Sequence, residues 1–272
     1  MQFNNIKNIT IPEGNVVKII DSRNQIIWNK PDEFKYQRLS HIYLDGNSYF
    51  DTGLSSKYLI DTYNRFDIQL IANIQNTSGS NIYFYGSYDT SLDHHGLGLG
   101  YSISAAGTTN TLTYYKGERG QGAYVPNSNG TATEILNKDI TYCMYYNHQT
   151  GGSGGFKCTA RPSEMSVPAT TGSANVETTM YIGTCNGRTG IKNFIGNFMR
   201  FSIFSYIQPM TIPLNESKLL IDIVPVIRLE DSVCGFYNVQ AKTFLPNIGS
   251  GTATAGDLVE GVFYLFHIII TI

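Results

Sequence analysis

Cleavage of a glycosidic bond needs two carboxyl groups held about 5–9 Å apart across the sugar. On a sheet face this usually appears as Glu-x-Asp-x-Glu along one strand, because alternate residues point the same way. No such triplet occurs in the chain. Asp45 and Asp51 stand close to Gly46 and Gly53, and Glu230-Asp231 lies between two apolar runs. All read as turn-capping or solvated acids, so no catalytic residue is expected. Asp93-His94-His95 is the one acid–histidine cluster, a combination able to ligate a metal or hold a ligand. Neighbouring residues of a strand face opposite sides, so these imidazoles converge only in a loop, and Ser87–Gly96 has a loop's composition. Tyrosine is abundant, with 19 residues and clusters at Tyr83/Tyr85/Tyr88, Tyr114-Tyr115 and Tyr142/Tyr145/Tyr146. In an adjacent pair on a strand, one ring should face out. Such a ring packs on the C–H face of a sugar while its hydroxyl bonds to sugar oxygens. Tyr88, His94, His95, Tyr114 and Tyr115 are therefore the candidate glycan contacts, set against the ordinary part-buried packing of any single tyrosine.

The elements that would position these residues are strands. Phe66, Ile68, Leu70, Ala72 and Ile74 keep the period of two that marks one buried face. Apolar or aromatic runs at 82–85, 97–103, 112–115, 140–146, 180–183, 198–207 and 219–227 follow, separated by polar and glycine-rich turns. No stretch keeps a helical period for ten residues or more, so the chain reads as all-β, a sandwich or jelly roll. Gly151–Gly155 reads as a hairpin tip, since it lacks the lysine and following helix of a phosphate loop. Residues 1–30 read as a separate β module. There Val16–Ile20 and Gln25–Trp28 flank Asp21-Ser-Arg-Asn24 as a hairpin that is marginal alone in water. Ile9, Ile11, Val17, Ile19, Ile27 and Trp28 would be its anchoring surface. Residues 31–39, charged and opening with proline, read as a linker to a domain spanning 40–272.

Apolar residues make up 42% of the chain, enough for a substantial core, while charged residues are only 15% and the net charge is −2. No basic field exists to attract nucleic acid. The amino end carries no apolar stretch of signal-peptide length, so Sec export is not expected. The carboxyl-terminal run Val262–Ile272 is eleven residues, against the roughly 20 that a spanning helix needs, so membrane insertion is not expected. It reads as a terminal strand that is buried on both faces or paired with another chain. Cys143, Cys158, Cys185 and Cys234 form no Cys-x-x-Cys and lie at no zinc-finger spacing from histidine, so buried free thiols are expected.

Two separated phrases carry a further signal: His41-Ile-Tyr-Leu-Asp-Gly-Asn-Ser-Tyr-Phe-Asp-Thr-Gly53, and Gly235-Phe-Tyr-Asn-Val-Gln-Ala-Lys-Thr-Phe-Leu-Pro-Asn-Ile-Gly-Ser-Gly251 preceded by Ile221-Asp-Ile-Val-Pro-Val226. Their order and wording resemble the concanavalin A-like (laminin-G-like) jelly-roll domains found in surface and virion proteins of phages of gut bacteria. The module Ile9–Trp28 likewise resembles amino-terminal modules of structural proteins of those phages. The resemblance implies a jelly-roll sandwich preceded by a small β-hairpin anchor. It also implies a virion location as a head or tail fibre, decoration or adhesin subunit. The partners would be other virion proteins through residues 1–30, sister subunits in a homo-oligomer, and a host-surface glycan. A bacterial surface carbohydrate-binding module is the alternative, and a glycoside hydrolase of the same fold is disfavoured by the missing carboxylate triplet. No cofactor is expected. Relatives of the laminin-G kind often bind calcium at a sandwich rim, but no carboxylate-and-carbonyl pattern locates such a site here.

Overall fold

The computed structural model describes residues 18–20, 26–29, 35–76, 79–91, 94–103, 110–118, 123–124, 135–167, 174–206, 209–264 and 269–271. A hairpin of β1 (Lys18–Ile20) and β2 (Ile26–Asn29) comes first, then β3 (Tyr36–Leu39), β4 (Ile42–Asp45), β5 (Phe50–Ser55) and α1 (Ser56–Tyr63), the one α-helix among the described residues. β6 (Arg65–Ile74), β7 (Gly79–Asp89), β8 (His94–Ile103), β9 (Asn110–Glu118) and β10 (Ala123–Tyr124) follow. The middle of the chain forms β11 (Ile140–Asn147), β12 (Ser153–Cys158), β13 (Arg161–Val167), β14 (Thr179–Ile182), β15 (Lys192–Asn193) and β16 (Ile195–Ser205). The last strands are β17 (Leu219–Arg228), β18 (Val233–Asn238), β19 (Thr243–Leu245), β20 (Thr254–Ala255), β21 (Leu258–Tyr264) and β22 (Ile269–Thr271).

These strands build a jelly-roll sandwich. The smaller sheet runs β10-β9-β8-β7-β14-β5, and the larger runs β13-β12-β11-β6-β16-β17-β3-β21-β22 with β4, β18, β19 and β20 attached. β6 lies inside the larger sheet between β11 and β16, and all five residues of its alternating set are fully buried. The inner face of the smaller sheet meets it with Ile82, Phe84, Leu97, Leu99, Leu112 and Tyr114. A row of rings runs through this core: Phe50 on Phe236 at 4.8 Å, Phe236 on Phe198 at 5.6 Å, Phe198 on Phe194 at 6.1 Å, Phe194 on Phe84 at 5.2 Å and Phe84 on Tyr142 at 5.0 Å. The first three pairs are edge-to-face, an arrangement that adds about 0.5–1.5 kcal/mol each beyond burial, and the last two are tilted.

The two separated sequence phrases meet in space. β20 pairs with β4 through Thr254↔Tyr43 and Ala255↔Ile42. The Asp45 carboxylate accepts from Asn47 N at 2.9 Å, Ser48 Oγ at 2.8 Å and, across the chain, Thr252 N at 2.8 Å. Asn247 answers from the other phrase, accepting from Tyr49 N at 3.1 Å and donating to Gly251 O at 2.8 Å. Gly251 has to be glycine, since a Cβ there would collide with the Asp45 carboxylate. Asp45, Asn47 and Tyr49 of the first phrase and Asn247 and Gly251 of the second thus form one staple.

Three expectations change. Residues 36–39, read as the end of a linker, are β3, which pairs with both β17 and β21 inside the larger sheet. The carboxyl-terminal apolar run is not one strand: β21 pairs with β3, and β22 folds back on β21. Helix α1 was not foreseen, because its eight residues are too few to display a helical period. Ser55 caps it by accepting from Tyr58 N, Leu59 and Ile60 bury its inner face, and Asn64 ends it at a left-handed φ of 60°. The expected hairpin is present as Ile19↔Trp28 and Ile20↔Ile26, with Ile27 on the same β2, whereas Ile9, Ile11 and Val17 lie outside the described residues. Cys143, Cys158 and Cys185 are buried, Cys234 is half-buried, and all four are free thiols.

Candidate functional site

The site is built on the outer face of the smaller sheet, where two irregularities in pairing re-aim side chains. On β7 the register passes from Tyr83↔Gly100 to Tyr85↔Leu99, so Phe84 is an extra residue. Phe84 and Tyr85 therefore both face the core, and Tyr83 and Gly86 face out. On β8 the register against β9 passes from His95↔Gly117 to Leu97↔Lys116, which makes Gly96 the extra residue. Strict alternation from Leu97 would bury His95 in the core. The bulge turns it outward instead, the usual use of such an irregularity beside a functional surface.

The outward row that results runs across the sheet as Tyr181, Gly86, Gly98 and Tyr115, paired in register. Gly98 is a floor position: a Cβ there would lie 3.1 Å from Tyr85 O and 3.7 Å from the Tyr83 ring. The segment 184–191 is laid over this floor. Asn186 N donates to Gly86 O at 3.1 Å, and Tyr88 N donates back to Asn186 O at 2.8 Å. The Asn186 side chain holds Thr179 O at 2.9 Å. A turn closed by Arg188 N on Cys185 O at 3.4 Å then projects Arg188 over the aromatic rings.

Those rings form one stack. His95 lies on Tyr115 with centroids 4.4 Å apart and planes 15° from parallel, and Tyr83 lies 5.3 Å from Tyr115. Tyr88 meets the His95 ring edge-on at 4.9 Å. The Arg188 guanidinium carbon is 5.4 Å from the Tyr83 centroid and 5.8 Å from that of Tyr115, within cation–π range. Arg188 Nη1 donates to the Tyr83 hydroxyl and sits 2.8 Å from His95 Nε2. A guanidinium has no acceptor, so Nε2 must accept, and the imidazole is neutral with its proton on Nδ1. Burial, and next to it Tyr115, raises the Tyr83 phenol above the ordinary tyrosine range, so it stays neutral. Burial also pushes the Cys185 thiol up to about 12 against the lowering pull of Arg188. Tyr83, His95 and Tyr115 are buried, at 0, 1 and 8% exposure, while Tyr88 and Arg188 are half-exposed. The cluster therefore presents a guanidinium and one tyrosine edge on a preformed aromatic base.

Of the five candidate contacts, the structure brings Tyr88, His95 and Tyr115 together here. Tyr114 is a correction. It points into the inter-sheet core at 1% exposure, with its hydroxyl 3.2 Å from Tyr145 O, and offers no ring face to a ligand. The segment 87–96 is also not a free loop, since its ends are β7 and β8, with Tyr88↔His95 and Asp89↔His94 paired. His94 is the first residue of β8, and nothing beyond its pairing is described. Tyr83, Cys185 and Arg188 are not among the candidate contacts, although Tyr83 belongs to a tyrosine cluster of the sequence and Cys185 reads there as a buried thiol. Cys185 and Arg188 lie far along the chain, where only the run Gly183-Thr-Cys-Asn-Gly-Arg-Thr-Gly190 signalled a tight loop. Among the described residues, no group of three or more histidine, cysteine or acidic side chains is placed to hold a metal ion. No described helix is long and apolar enough to cross a membrane.

No protein-family model matches the chain, and no curated protein matches its sequence. Several solved structures give matches over part of the chain. A protein from Bacteroides ovatus described as carbohydrate binding is 14% identical over 81% of this chain and 61% of its own, with a TM-score of 0.45. The enzymatically active domain of tailspike protein 2 of bacteriophage CBA120 is 9% identical over 64% of this chain and 29% of its own, at 0.44. The CBM40 of Ruminococcus gnavus IT-sialidase is 11% identical over 69% of this chain and 97% of its own, at 0.42. The chain thus spans about three-fifths of the first of these and under a third of the second.

Proposed function

We propose that this chain is a glycan-binding jelly roll whose contact surface is the outer face of the smaller sheet around Tyr88, Tyr115, His95 and Arg188. The observation that carries the reading is the pinned Arg188 turn over stacked Tyr83, His95 and Tyr115 rings. An aromatic base with a few fixed polar groups at its edge is the usual make-up of a small-ligand site. The module binds without cleaving: the chain holds no carboxylate triplet along a strand, and acids such as Asp45 and Asp222 are taken up by structural hydrogen bonds. A glycan array probed with multivalent protein tests it. Wild type should bind a defined glycan set, and Tyr88→Ala/Arg188→Ala should lose that set while keeping its fold. Unchanged binding by the double variant would move the site elsewhere.

The particular setting we favour is a phage virion, as a fibre, decoration or adhesin subunit anchored through residues 1–30 to other virion proteins and to sister subunits. The support is the wording of the two phrases and of the amino-terminal module. Many copies on one particle would raise avidity, so a single site need not bind tightly. Deleting residues 1–30 should leave a folded sandwich that no longer incorporates into particles. Normal incorporation of the truncated protein would remove the anchoring role.

A further inference from the structure

We infer that the Arg188 corner of this cluster receives the carboxylate of an acidic sugar residue, an inference that rests on the glycan-binding reading and narrows it. Two other arginines of the sandwich are neutralised by acids. Arg200 is held by Glu216 at 2.6 Å and by Asp222 at 2.7 Å, and Arg228 by Asp231 at 2.6 Å. Arg188 is different. Its partners are a phenol, a neutral imidazole and two ring faces, and among the described residues no carboxylate lies within ion-pair range of it. Its charge is half-shielded from water, and no carboxylate among the described residues balances it.

The engaged atom also sets what can bind. Nη1 is taken by Tyr83 and His95. Nε and Nη2 carry no hydrogen bond to a described group, and together they form the side edge of the guanidinium, two parallel N–H bonds that match the two oxygens of a carboxylate. The edge is held in place beforehand, because the turn at 185–188 is tied to β7 on both sides of Ser87, through Gly86 O and Tyr88 N. Little ordering cost therefore remains to be met on binding. Arg188 is the one described cation in contact with the rings. One positive charge balances a carboxylate, whereas the dianion of a phosphate monoester would stay half-compensated. The sugar ring beside the carboxylate would lie along the Tyr88 edge.

The test uses the full chain displayed multivalently and pairs of immobilised glycans: uronic- or nonulosonic-acid polysaccharides, the same polymers after carboxyl reduction, neutral glycans and a phosphate-monoester-bearing glycan. Wild type should bind an acidic member and lose at least ten-fold in affinity when its carboxyl group is reduced, a readout that needs no protein variant. Arg188→Gln should bind the acidic and reduced forms alike, at the weaker level. Arg188→Lys, which keeps the charge and loses the fork, should fall between. Equal wild-type binding to the acidic and reduced forms, or preference for the phosphate monoester, would overturn the carboxylate inference and leave glycan binding standing. Absence of binding to every glycan on the array would remove both.

Discussion

Replacing Asp45 by alanine tests whether the two separated phrases are joined by one carboxylate. The side chain accepts three hydrogen bonds, from Asn47 N, Ser48 Oγ and Thr252 N, at 2.8–2.9 Å. Hydrogen bonds to a charged group contribute about 1.5–3 kcal/mol each when buried. Asp45 is half-exposed, so the freed donors can partly rehydrate, and the expected loss is about 2–3 kcal/mol in total. For a domain of this size that lowers Tm by about 5–10 °C. Asp51→Ala is the control: its carboxylate accepts only from Gly53 N, at 2.9 Å within its own turn, and the expected loss is below about 1 kcal/mol. Differential scanning calorimetry on the two variants measures the contrast. The pH dependence gives a second readout. Burial alone would raise the Asp45 pKa, but the hydrogen bonds from Thr252, Asn47 and Ser48 outweigh it and hold the carboxyl below the usual range. Its contribution is therefore present at neutral pH and disappears as pH falls below about 4 through the lowered folded value. If Asp45→Ala and Asp51→Ala melt together at pH 7, the staple does not hold the two phrases.

Further predictions follow from burial. Tyr114→Ala should cost about 3–5 kcal/mol as a core truncation, whereas Tyr88→Ala, half-exposed at the site, should cost little, both measured by denaturant titration. Cys143 and Cys185, each pushed up to about 12 by burial, should resist a thiol reagent at pH 8 until the protein unfolds, and the half-buried Cys234 should react first; equal rates for all would contradict the packing. Lys116 is buried under Gly152 and Gly154, with Nζ 2.5 Å from Gly152 O, and burial pushes its amine down to about 8. Between pH 8 and about 10 the unfolded chain holds the extra proton, so stability relative to Lys116→Met should rise with pH, by about 2 kcal/mol. A flat difference would show that the amine titrates normally.

Much of the sandwich is legible in the sequence because a strand buried on one face writes its period directly. β6 shows it in Phe66, Ile68, Leu70, Ala72 and Ile74, all fully buried. The same rule fails at the site. Tyr114 and Tyr115 do face opposite sides, but alternation alone does not say which ring enters the core. The extra residues at Phe84 and Gly96 shift the faces of Tyr85 and His95, and a bulge has no composition of its own beyond an unremarkable glycine. Arg188 reaches Tyr83 from 105 positions away, through a loop whose course is fixed by backbone bonds to Gly86 and Tyr88. Local patterning carries no information about such a contact. Residues 36–39 were misread for a related reason: a charged, proline-led segment looks like a linker, yet its backbone completes the ladder between β17 and β21.

A crystal structure of the full chain with a saccharide selected from the glycan array tests the central claim most directly. The account predicts the sugar on the outer face of the smaller sheet, in contact with Tyr88 and with Nε and Nη2 of Arg188, and above Tyr115. A saccharide bound instead on the larger sheet, for example over the stacked Tyr36 and Phe244 rings 5.3 Å apart, with the Arg188 turn untouched, would contradict it.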